Sequence, residues 1–376
     1  MEILLIGSGN RATAYAIYFK ANIKWVCDRD IMKPSLLIEE YNLSNATAIT
    51  DFRDADGYDA IIIATPDHTH LEIMEWAVGT GKPIMLEKPV EVSTDALARL
   101  HTIADGYEPG IVLGFGLRYT FMYDKIMELL GNEAIGPVVS IEAAETLGEL
   151  HAARFFRRWH RDSRLSGGML NTKCSHDMDI LNIAVASLPV KISSFGSNML
   201  FRRERGLEKC SKKCPEYDTC IYVDETEYVF SSVDTSICPY NIESDLVDHQ
   251  TVNILYENGV TAVFTLSMHS SKGNRTIRIH GEKGCIEASF ENQEVYMSIK
   301  NSEPQVFRPL ETGGSHGGGD QGLCSFFTDC YKCGKFPNQI GAGILASAVA
   351  FAADLSRLSG ETVDFTEILN YIYGKK

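Results

Sequence analysis

The sequence predicts an α/β protein of two domains: a first domain with a parallel sheet covered by helices, and a second domain rich in β-strands. Continuously apolar runs alternate with helical segments between residues 2 and 116, which is typical of βαβ units whose sheet is buried on both faces. Beyond residue 136, alternating apolar and polar residues are separated by Gly and Asn-Gly turns, which indicates paired strands. A chain of 376 residues is long enough for two cores.

Composition and charge narrow the class of protein. The chain is 44% hydrophobic and 23% charged, with a net charge of −15, and this acidic balance disfavours nucleic-acid binding as the main role. Glycines interrupt the first residues, MEILLIGSGN, too early for a secretory leader. No apolar run reaches the ~18 residues that a membrane helix needs. We therefore expect a cytoplasmic protein without a nucleic-acid or membrane partner, whose ten cysteines are not joined in disulfides.

The elements of the first domain follow in regular order. The predicted strands are residues 2–6, 23–27, 59–64, 83–87 and 110–116, and the predicted helices are residues 11–20, 70–78 and 93–105. The last of these helices opens with a Ser or Thr, residues that cap free backbone N–H groups. Strands and helices at this spacing predict a parallel sheet.

The first strand-to-helix turn has the pattern G-x-G-x-x-A in residues 7–12. Gly7 and Gly9 allow a tight turn against a pyrophosphate, and the helix start at Asn10 and Arg11 faces the phosphate charge. Asp28 ends the second strand and is placed to accept hydrogen bonds from a ribose 2′-hydroxyl, which favours NAD over NADP. The neighbouring residue, Arg29, can instead hold a 2′-phosphate. The pattern predicts a Rossmann dinucleotide-binding domain, with a Rossmann-like domain whose site is altered as the alternative.

Two further polar clusters follow predicted strands, at the sheet edge where ligands bind. The first is residues 64–70, ATPDHTH, in which we expect Thr65, Pro66 and His70 to contact the cofactor. The second is Glu87 and Lys88 before a proline, which restricts the backbone of the lysine to an extended form. A helix cap and a solvated surface lysine are the simpler interpretations.

A third polar cluster lies in residues 167–181, GGMLNTKCSHDMDIL. In a helix, Thr172, His176 and Asp179 share one face, with Lys173 at its edge. This segment alone does not distinguish a catalytic helix from a metal site or an ordinary polar helix face.

These motifs together resemble one family. GSGNRA, ATPDHTH, MLEKPV and GGML…SHDMDIL occur in the order and spacing of the Gfo/Idh/MocA oxidoreductases. The resemblance implies a Rossmann domain that binds a nicotinamide cofactor, followed by an α/β domain built on a large, mostly antiparallel sheet. It further implies sugars, polyols or their derivatives as substrates, and a homodimer or homotetramer formed through the open face of that sheet.

The resemblance also implies roles for the residues of the third cluster. By position, His176 matches the catalytic histidine of the family and Asp179 the acid that follows it, whereas Thr172 stands where many members have Asp. Because Thr cannot act as a carboxylate base, Lys173 is the neighbour that could compensate. We expect His176 or Lys88 to exchange the hydroxyl proton and Lys88 to stabilise the developing oxyanion.

The second half supports a β-rich domain independently. The predicted strands are residues 136–146, 246–257, 259–268, 274–281 and 284–290. YENGVTAV between the second and third of these is a hairpin signal. A helix over residues 341–360 ends at Gly360. We divide the chain into residues 1–118 and 119–376.

Residues 154–161, RFFRRWHR, combine basic and aromatic side chains. A nucleic-acid patch is one interpretation, but one short segment in an acidic chain favours a loop at the mouth of a substrate site, with a surface loop as the plain alternative. We expect substrate contacts from several residues in or near this site, namely Arg118, Arg157, Trp159, His160, Thr172, Asp179 and, in a glycine-rich stretch, His316.

Residues 201–240 interrupt the strand pattern and contain Cys210, Cys214, Cys220 and Cys238. Four thiolates in a polar loop can fold around a tetrahedral metal. We predict a structural zinc site, with an iron–sulfur cluster as the second choice and four free cysteines as the alternative.

The sequence thus predicts an NAD-dependent dehydrogenase of a sugar, polyol or sugar acid. A second hypothesis is a redox-neutral glycosidase or lyase that acts through a transient keto-sugar on tightly held NAD. A third is a non-enzymatic sensor that binds NAD. Net NADH formation separates the first hypothesis from the second.

Overall fold

Six strands form the first of two sheets in the computed structural model, which describes residues 1–202, 207, 209–309 and 315–374, without the side chains of residues 315 and 316. The strands are β1 (Ile3–Ile6), β2 (Ile23–Cys27), β3 (Thr47–Ile49), β4 (Ala60–Ile63), β5 (Ile84–Leu86) and β6 (Ile111–Leu113). Their order across the sheet is β3-β2-β1-β4-β5-β6, and every neighbouring pair is parallel.

Both faces of this sheet are covered. Four helices connect its strands: α1 (Asn10–Tyr18), α2 (Met32–Glu40), α3 (His70–Ala77) and α4 (Thr94–Ala104). Ile3 and Leu5 pack into one core cluster and Leu4 and Ile6 into another, because successive side chains of a strand point to opposite faces. The predicted Rossmann-type domain is confirmed.

Two elements of this domain were missing from the sequence prediction. The strand β3 has three residues, none of them fully buried, and α2 buries only Pro34 and Leu37. A short, half-exposed strand has no clear apolar pattern, and α2 lacks a capping side chain at its start. The expected serine cap of α4 is present, since the Ser93 hydroxyl accepts a hydrogen bond from the Ala96 N–H at 3.2 Å.

Nine strands form the second sheet. They are β7 (Val138–Gly148), β8 (Pro189–Ser197), β9 (His249–Tyr256), β10 (Thr261–Ser270), β11 (Asn274–Gly281), β12 (Gly284–Ser289), β13 (Glu294–Ile299), β14 (Gln305–Phe307) and β15 (Val363–Asp364). Their order is β14-β13-β12-β11-β7-β10-β9-β8-β15. The pair β7–β10 is parallel and the other neighbours are antiparallel, which confirms the large, mostly antiparallel sheet.

Helices cover one face of this sheet. The helices of the second half are α5 (Phe121–Gly131), α6 (Glu149–Phe156), α7 (Ser163–Ser166), α8 (Met169–Val185), α9 (Gly319–Cys333), α10 (Ile340–Ser359) and α11 (Phe365–Ile372). Among them, α5, α6, α8 and α10 pack on the sheet. The predicted hairpin joins β9 to β10, where the Tyr256 N–H donates to the Val260 carbonyl at 2.9 Å.

Two helices join the halves. In α9, Leu323 and Phe327 pack into the core on one face of the parallel sheet. The helix α10 ends at Gly360 as predicted, and its Gly343 lies against Val90 and Leu113 of the first domain. By length and hydropathy α10 alone among the described helices could span a membrane, which corrects the expectation that no segment reaches that threshold. Since 61% of its apolar window is buried, it is a core helix.

Candidate active site

A cavity of about 780 Å³ opens where the carboxyl ends of β1, β2, β4 and β5 face the first turns of α8. Ligands of open parallel sheets bind at this edge. Most residues predicted for the site line the cavity, namely Gly7, Gly9, Asn10, Arg11, Asp28, Arg29, Thr65, Pro66, Glu87, Lys88, Trp159, His160, Thr172, Lys173 and His176. Outside the lining lie His70, Arg118, Arg157 and Asp179.

The turn after β1 is shaped for close approach. Gly7 has a φ of +101°, and a Cβ added to it would lie 2.4 Å from the Ala64 carbonyl oxygen. A side chain there is therefore excluded both by backbone conformation and by space. The next glycine, Gly9, caps α1 and leaves the N-terminus of that helix open towards the cavity.

The carboxylate of Asp28 is held at the end of β2. Its Oδ2 accepts hydrogen bonds from the Ser8 hydroxyl at 2.7 Å and from the Ser8 N–H at 3.3 Å, so Ser8 is a site residue that the sequence prediction missed. The neighbouring Arg29 has a side chain that is 82% exposed and lies 3.7 Å from Glu72. Asp28 is thus oriented by the glycine turn itself.

A buried ion cluster forms the floor of the cavity. The Arg11 Nε donates to Glu87 at 2.6 Å, and its two terminal nitrogens donate to the two oxygens of Asp320 at 2.9 and 3.1 Å. The Tyr15 hydroxyl also donates to Glu87. The packing is close, because a Cβ on Gly114 would lie 2.8 Å from Glu87 Oε2. These contacts tie α1, β5 and α9 together beneath the predicted phosphate site.

His70 lies behind the cavity wall. Its Nδ1 is 2.8 Å from the Pro89 carbonyl and its Nε2 is 3.1 Å from the Thr65 carbonyl. Burial lowers its pKa, while the hydrogen bonds to the two carbonyls act in the opposite direction. His70 joins the turn after β4 to the segment after β5, and it places Thr65 and Lys88 on the wall that they line.

Lys88 and Thr172 meet across the domain boundary. The Lys88 Nζ donates to the Thr172 carbonyl at 2.6 Å, and the Thr172 hydroxyl donates to the Asp67 carboxylate at 2.8 Å. Burial lowers the pKa of Lys88 to about 8, opposed by the charge of Asp67 and assisted by that of Lys173. Burial raises the pKa of Asp67 to about 7. The sequence prediction treated Asp67 only as part of a helix start.

Lys173 belongs to a second ion cluster. Its Nζ lies 3.0 Å from Glu145 Oε1, and Arg275 bridges Glu145 at 2.6 Å and Asp177 at 3.0 Å. With the Cys174 thiol, these two carboxylates form the one group of three metal-ligand side chains found among the described residues. Since Arg275 and Lys173 already neutralise both carboxylates, the cluster is a salt-bridge network that fixes α8 to the sheet.

His176 lines the cavity from the next turn of α8. Its ring contacts that of Phe115 edge to face, with centroids 5.7 Å apart. The Arg118 guanidinium also lies over the Phe115 ring, 5.3 Å from its centroid. Arg118 donates to both oxygens of Asp179 at 2.7 and 2.5 Å, so this pair buttresses Phe115 and His176 from outside the lining.

The basic segment of residues 154–161 contacts both the cysteine-rich insert and the cavity. Arg157 is 1% exposed, and it donates to the carbonyls of Ile237 and Tyr222 at 2.8 and 2.7 Å. The next residue, Arg158, lines the cavity, and burial lowers its pKa to about 10. Trp159 and His160 stack with centroids 3.6 Å apart on the same wall. The segment is therefore not a continuous basic surface.

The cysteine-rich insert reaches the cavity. Its residues 229–232 line the opening beside the phosphate turn, and the Phe230 ring lies 6.0 Å from that of Tyr41. Its cysteines form no disulfide bonds. Within the described residues, no three cysteine sulfurs lie within 4.8 Å of one another, although Cys210 is close enough to the other three for its pKa to respond to them. The side chain of His316 lies outside the described part of the chain.

Two domain models of one protein family match the chain. Residues 1–113 match the model described as "Oxidoreductase family, NAD-binding Rossmann fold". Residues 123–287 match the "GFO/IDH/MocA C-terminal domain". Together these matches span most of the sequence.

Individual relatives are distant in sequence. The oxidoreductase YteT of Bacillus subtilis (strain 168) is 22% identical over 299 residues, which are 70% of each chain. The inositol 2-dehydrogenase of Rhizobium meliloti (strain 1021) is 20% identical over 254 residues, which are 67% of this chain and 63% of that one.

Solved structures resemble nearly the whole chain. A levoglucosan dehydrogenase in complex with NADH and levoglucosan has a TM-score of 0.78 at 17% identity, covering 97% of this chain and 99% of its own. A myo-inositol dehydrogenase from Corynebacterium glutamicum ATCC 13032 has a TM-score of 0.69 at 20% identity, covering 96% and 98%. From both domain matches and this fold, the chain belongs to the Gfo/Idh/MocA family of NAD-binding oxidoreductases.

Proposed function

We propose that the protein oxidises a secondary hydroxyl group of a sugar, polyol or sugar acid with NAD. The observation that carries this is Lys88: a half-buried lysine with a pKa lowered to about 8, in a cavity that also contains the glycine turn and the Asp28 carboxylate. A general base works best when its pKa is near the working pH. The relatives named for inositol and levoglucosan oxidation favour the same substrate class.

In the proposed reaction, bound nicotinamide supplies the hydride acceptor. Lys88 Nζ, as the neutral amine, accepts the proton of the substrate hydroxyl while hydride leaves the carbon that bears this hydroxyl. The resulting ammonium is stabilised by the Thr172 carbonyl and the charge of Asp67. His176, on the next turn of α8, orients the substrate hydroxyl or shares the proton.

Asp28 supports NAD over NADP. Its Oδ2 already accepts from the Ser8 hydroxyl, and its remaining acceptor capacity suits a ribose 2′-hydroxyl and repels a 2′-phosphate. Three basic residues that could attract a 2′-phosphate also line this end of the cavity, namely Arg29, Lys33 and Arg53. The preference for NAD is therefore measured as the ratio of the affinities for NAD and NADP.

Arg158 favours an acidic substrate. Among the described residues it makes no ion pair within 4.0 Å, and its Nε is buried without a described hydrogen-bond acceptor. A guanidinium in this state suits a substrate carboxylate. Sugar acids therefore stand beside neutral sugars in the test.

The test is a substrate screen with purified protein. Cofactor that copurifies is identified by mass, and absorbance at 340 nm is followed with myo-inositol, levoglucosan, D-xylose and D-glucuronate. The expected result is steady NADH formation with at least one compound, lost in Lys88→Met. NADH formation that survives in Lys88→Met would contradict the role of Lys88.

A redox-neutral reaction is a second candidate, supported by the insert. Residues 229–232 line the cavity beside the glycine turn after β1, where they would slow exchange of the cofactor. An enzyme that takes hydride from one carbon, eliminates at the neighbouring acidified C–H and then returns the hydride needs such retention. Product from a glycoside without net NADH would favour this reaction over the dehydrogenase.

We also propose that Cys210, Cys214, Cys220 and Cys238 hold a structural metal, zinc first and an iron–sulfur cluster second. All four lie in one loop with little regular structure. The other three cysteines are close enough to Cys210 to raise its pKa. Because zinc–sulfur bonds are ~2.3 Å long, the four sulfurs would have to lie closer together in the metal-bound loop than they do in this structure. Metal analysis is expected to find one equivalent, and less than about half an equivalent would refute a populated site.

The open face of the second sheet is proposed as the contact with a second copy of this chain. Phe195 is 67% exposed and Tyr296 37% exposed, and the strand registers put both on the face opposite the helices. Phe195→Glu is expected to shift the mass by light scattering towards the monomer. Leu358→Glu, an exposed site on α10, is the control that leaves it unchanged.

A further inference from the structure

Asp67 and Lys88 follow neighbouring strands of the same sheet. β4 ends at Ile63 and β5 at Leu86, and the two strands pair in parallel. Their carboxyl ends therefore bring Asp67 and Lys88 to one wall of the cavity, which both residues line. No direct ion pair within 4.0 Å joins these two described side chains.

Thr172 contacts both of them. Its carbonyl accepts from Lys88 Nζ at 2.6 Å and its hydroxyl donates to Asp67 Oδ2 at 2.8 Å. The hydroxyl fixes which way the carboxylate faces, and the carbonyl fixes the ammonium. Thr172 is 2% exposed and Asp67 6% exposed, so the hydrogen bond between them is buried, whereas the one from Lys88 is partly buried.

Three of the other charged groups around this trio are paired elsewhere, whereas Arg158, which faces Asp67, makes no ion pair among the described residues. Lys88 also faces Lys173, Glu87 and Arg11, and Asp67 also faces Arg158, while Glu91 and His160 lie close by. Lys173 is paired with Glu145, and Arg11 is paired with Glu87 and Asp320. Among the neighbouring charges, that of Asp67 has the largest effect on the pKa of Lys88.

We propose that Asp67 is a positioning residue for the reaction, holding Lys88 ready to accept the hydroxyl proton and stabilising the ammonium that forms. The inference rests on the proposed function, because it assigns Lys88 the role of base. Asp67 does not itself take the proton in this scheme. Asp67 belongs to the cofactor domain, and because its carboxylate contacts Thr172, it takes the place of the carboxylate that is absent at residue 172.

The geometry also predicts that residues 67 and 172 can exchange roles. Their side chains are 2.8 Å apart, so a carboxylate at 172 would occupy nearly the same place. Carboxylates at both residues 67 and 172 would repel one another. We therefore expect the charge opposite Lys88 to be carried by only one of these two positions.

The test follows the ionisation of Lys88 directly. The full-length protein is acetylated briefly with sulfo-NHS-acetate between pH 6 and 10, and modification of the Lys88 peptide is quantified by mass spectrometry. In Asp67→Asn the midpoint is expected to fall by about one to two pH units, because an opposite charge at close range shifts a pKa by roughly that much. Asp30→Asn, an exposed carboxylate on the same cavity, is the control that leaves it unchanged.

Rescue separates a specific role from a structural one. Asp67→Asn/Thr172→Asp is expected to restore the midpoint, whereas Asp67→Asn/Thr172→Asn is not. Thr172→Val, which keeps the shape but removes the hydroxyl, is expected to lower the midpoint less. An unchanged midpoint in Asp67→Asn, or equal midpoints in the two double variants, would overturn the inference.

The labelling needs no turnover, so its result stands apart from the substrate screen. If a substrate is found, the alkaline rise of kcat/KM is expected to move to lower pH in Asp67→Asn together with the labelling midpoint, with a lower kcat. A labelling shift without any NADH formation would keep the Asp67–Lys88 relation and reject the proposed dehydrogenase. NADH formation with unshifted labelling would reject the role of Asp67 alone.

Discussion

Replacing Arg275 by Met tests the buried ion cluster behind α8. Arg275 is 9% exposed and bridges Glu145 and Asp177 at 2.6 and 3.0 Å. After the substitution Glu145 keeps Lys173 at 3.0 Å, but Asp177 loses its ion pair. Removing one partner of a buried ion pair costs about 3–5 kcal/mol.

That cost can be converted into a melting temperature. Unfolding entropy is ~2.1 cal/mol/K per residue, so a chain of 376 residues should lose roughly 4–6 °C in Tm. Differential scanning fluorimetry at several pH values measures this loss, and it needs no substrate.

The loss should also depend on pH. Burial already raises the pKa of Asp177 to about 7, and Arg275 opposes that rise, so without Arg275 the folded-state pKa increases further. A carboxyl whose folded pKa lies above its unfolded value destabilises the fold as pH rises from the unfolded pKa to the folded one. The variant is therefore expected to lose little Tm near pH 5 and most near pH 8.

A matched control lies on the surface of the first domain. Arg99 of α4 also pairs with a carboxylate, Glu75 of α3, but these side chains are 65% and 40% exposed, and exposed pairs contribute little. Arg99→Met is expected to leave Tm within error. If Arg275→Met melts like Arg99→Met at pH 8, the buried cluster does not stabilise the fold and the reasoning fails.

Three further substitutions test the cofactor site and the insert. Gly7→Ala should weaken NADH binding at least about tenfold by fluorescence titration, since its Cβ would lie 2.4 Å from the Ala64 carbonyl oxygen; unchanged affinity would place the pyrophosphate elsewhere. Asp28→Ala should lower the ratio of NADH to NADPH affinity about tenfold, and a constant ratio would contradict its role at the ribose. Arg157→Met removes two hydrogen bonds to the insert, so limited trypsin digestion should cut the insert sooner than in Arg161→Met, and equal rates would count against that anchor.

The sequence predicted most of the fold because its main elements carry strong periodic patterns. The buried strands Ala60–Ile63 and Ile84–Leu86 are continuous apolar runs, and Gly360 ends a helix of twenty residues. Elements that bury few side chains, such as Thr47–Ile49, have no such pattern. Their position depends on neighbours that are distant in sequence.

The candidate site was predictable where a motif determines its own geometry. The glycine turn and Asp28 need only β1 and β2 beside each other. The arginines were not predictable, because Arg157 and Arg158 are adjacent and alike in sequence, yet one holds the insert and the other lines the cavity. Which of two neighbouring side chains turns inward is decided by packing against residues 220–240, far along the chain.

The threonine at residue 172 shows why a missing carboxylate cannot be judged from its own helix. The hydrogen bond to Asp67 spans 105 residues and joins the two domains. Asp67 and Lys88 both stand on the parallel sheet, so their separation is fixed by the pairing of β4 with β5, whereas Thr172 reaches them from α8. A movement of α8 relative to the first domain would break both bonds of Thr172 and free the carboxylate to turn, but it would leave Asp67 and Lys88 beside each other on the sheet. In the proposed scheme the charge opposite Lys88 is therefore carried by the cofactor domain, and the Thr172 hydroxyl of α8 sets the orientation of that carboxylate.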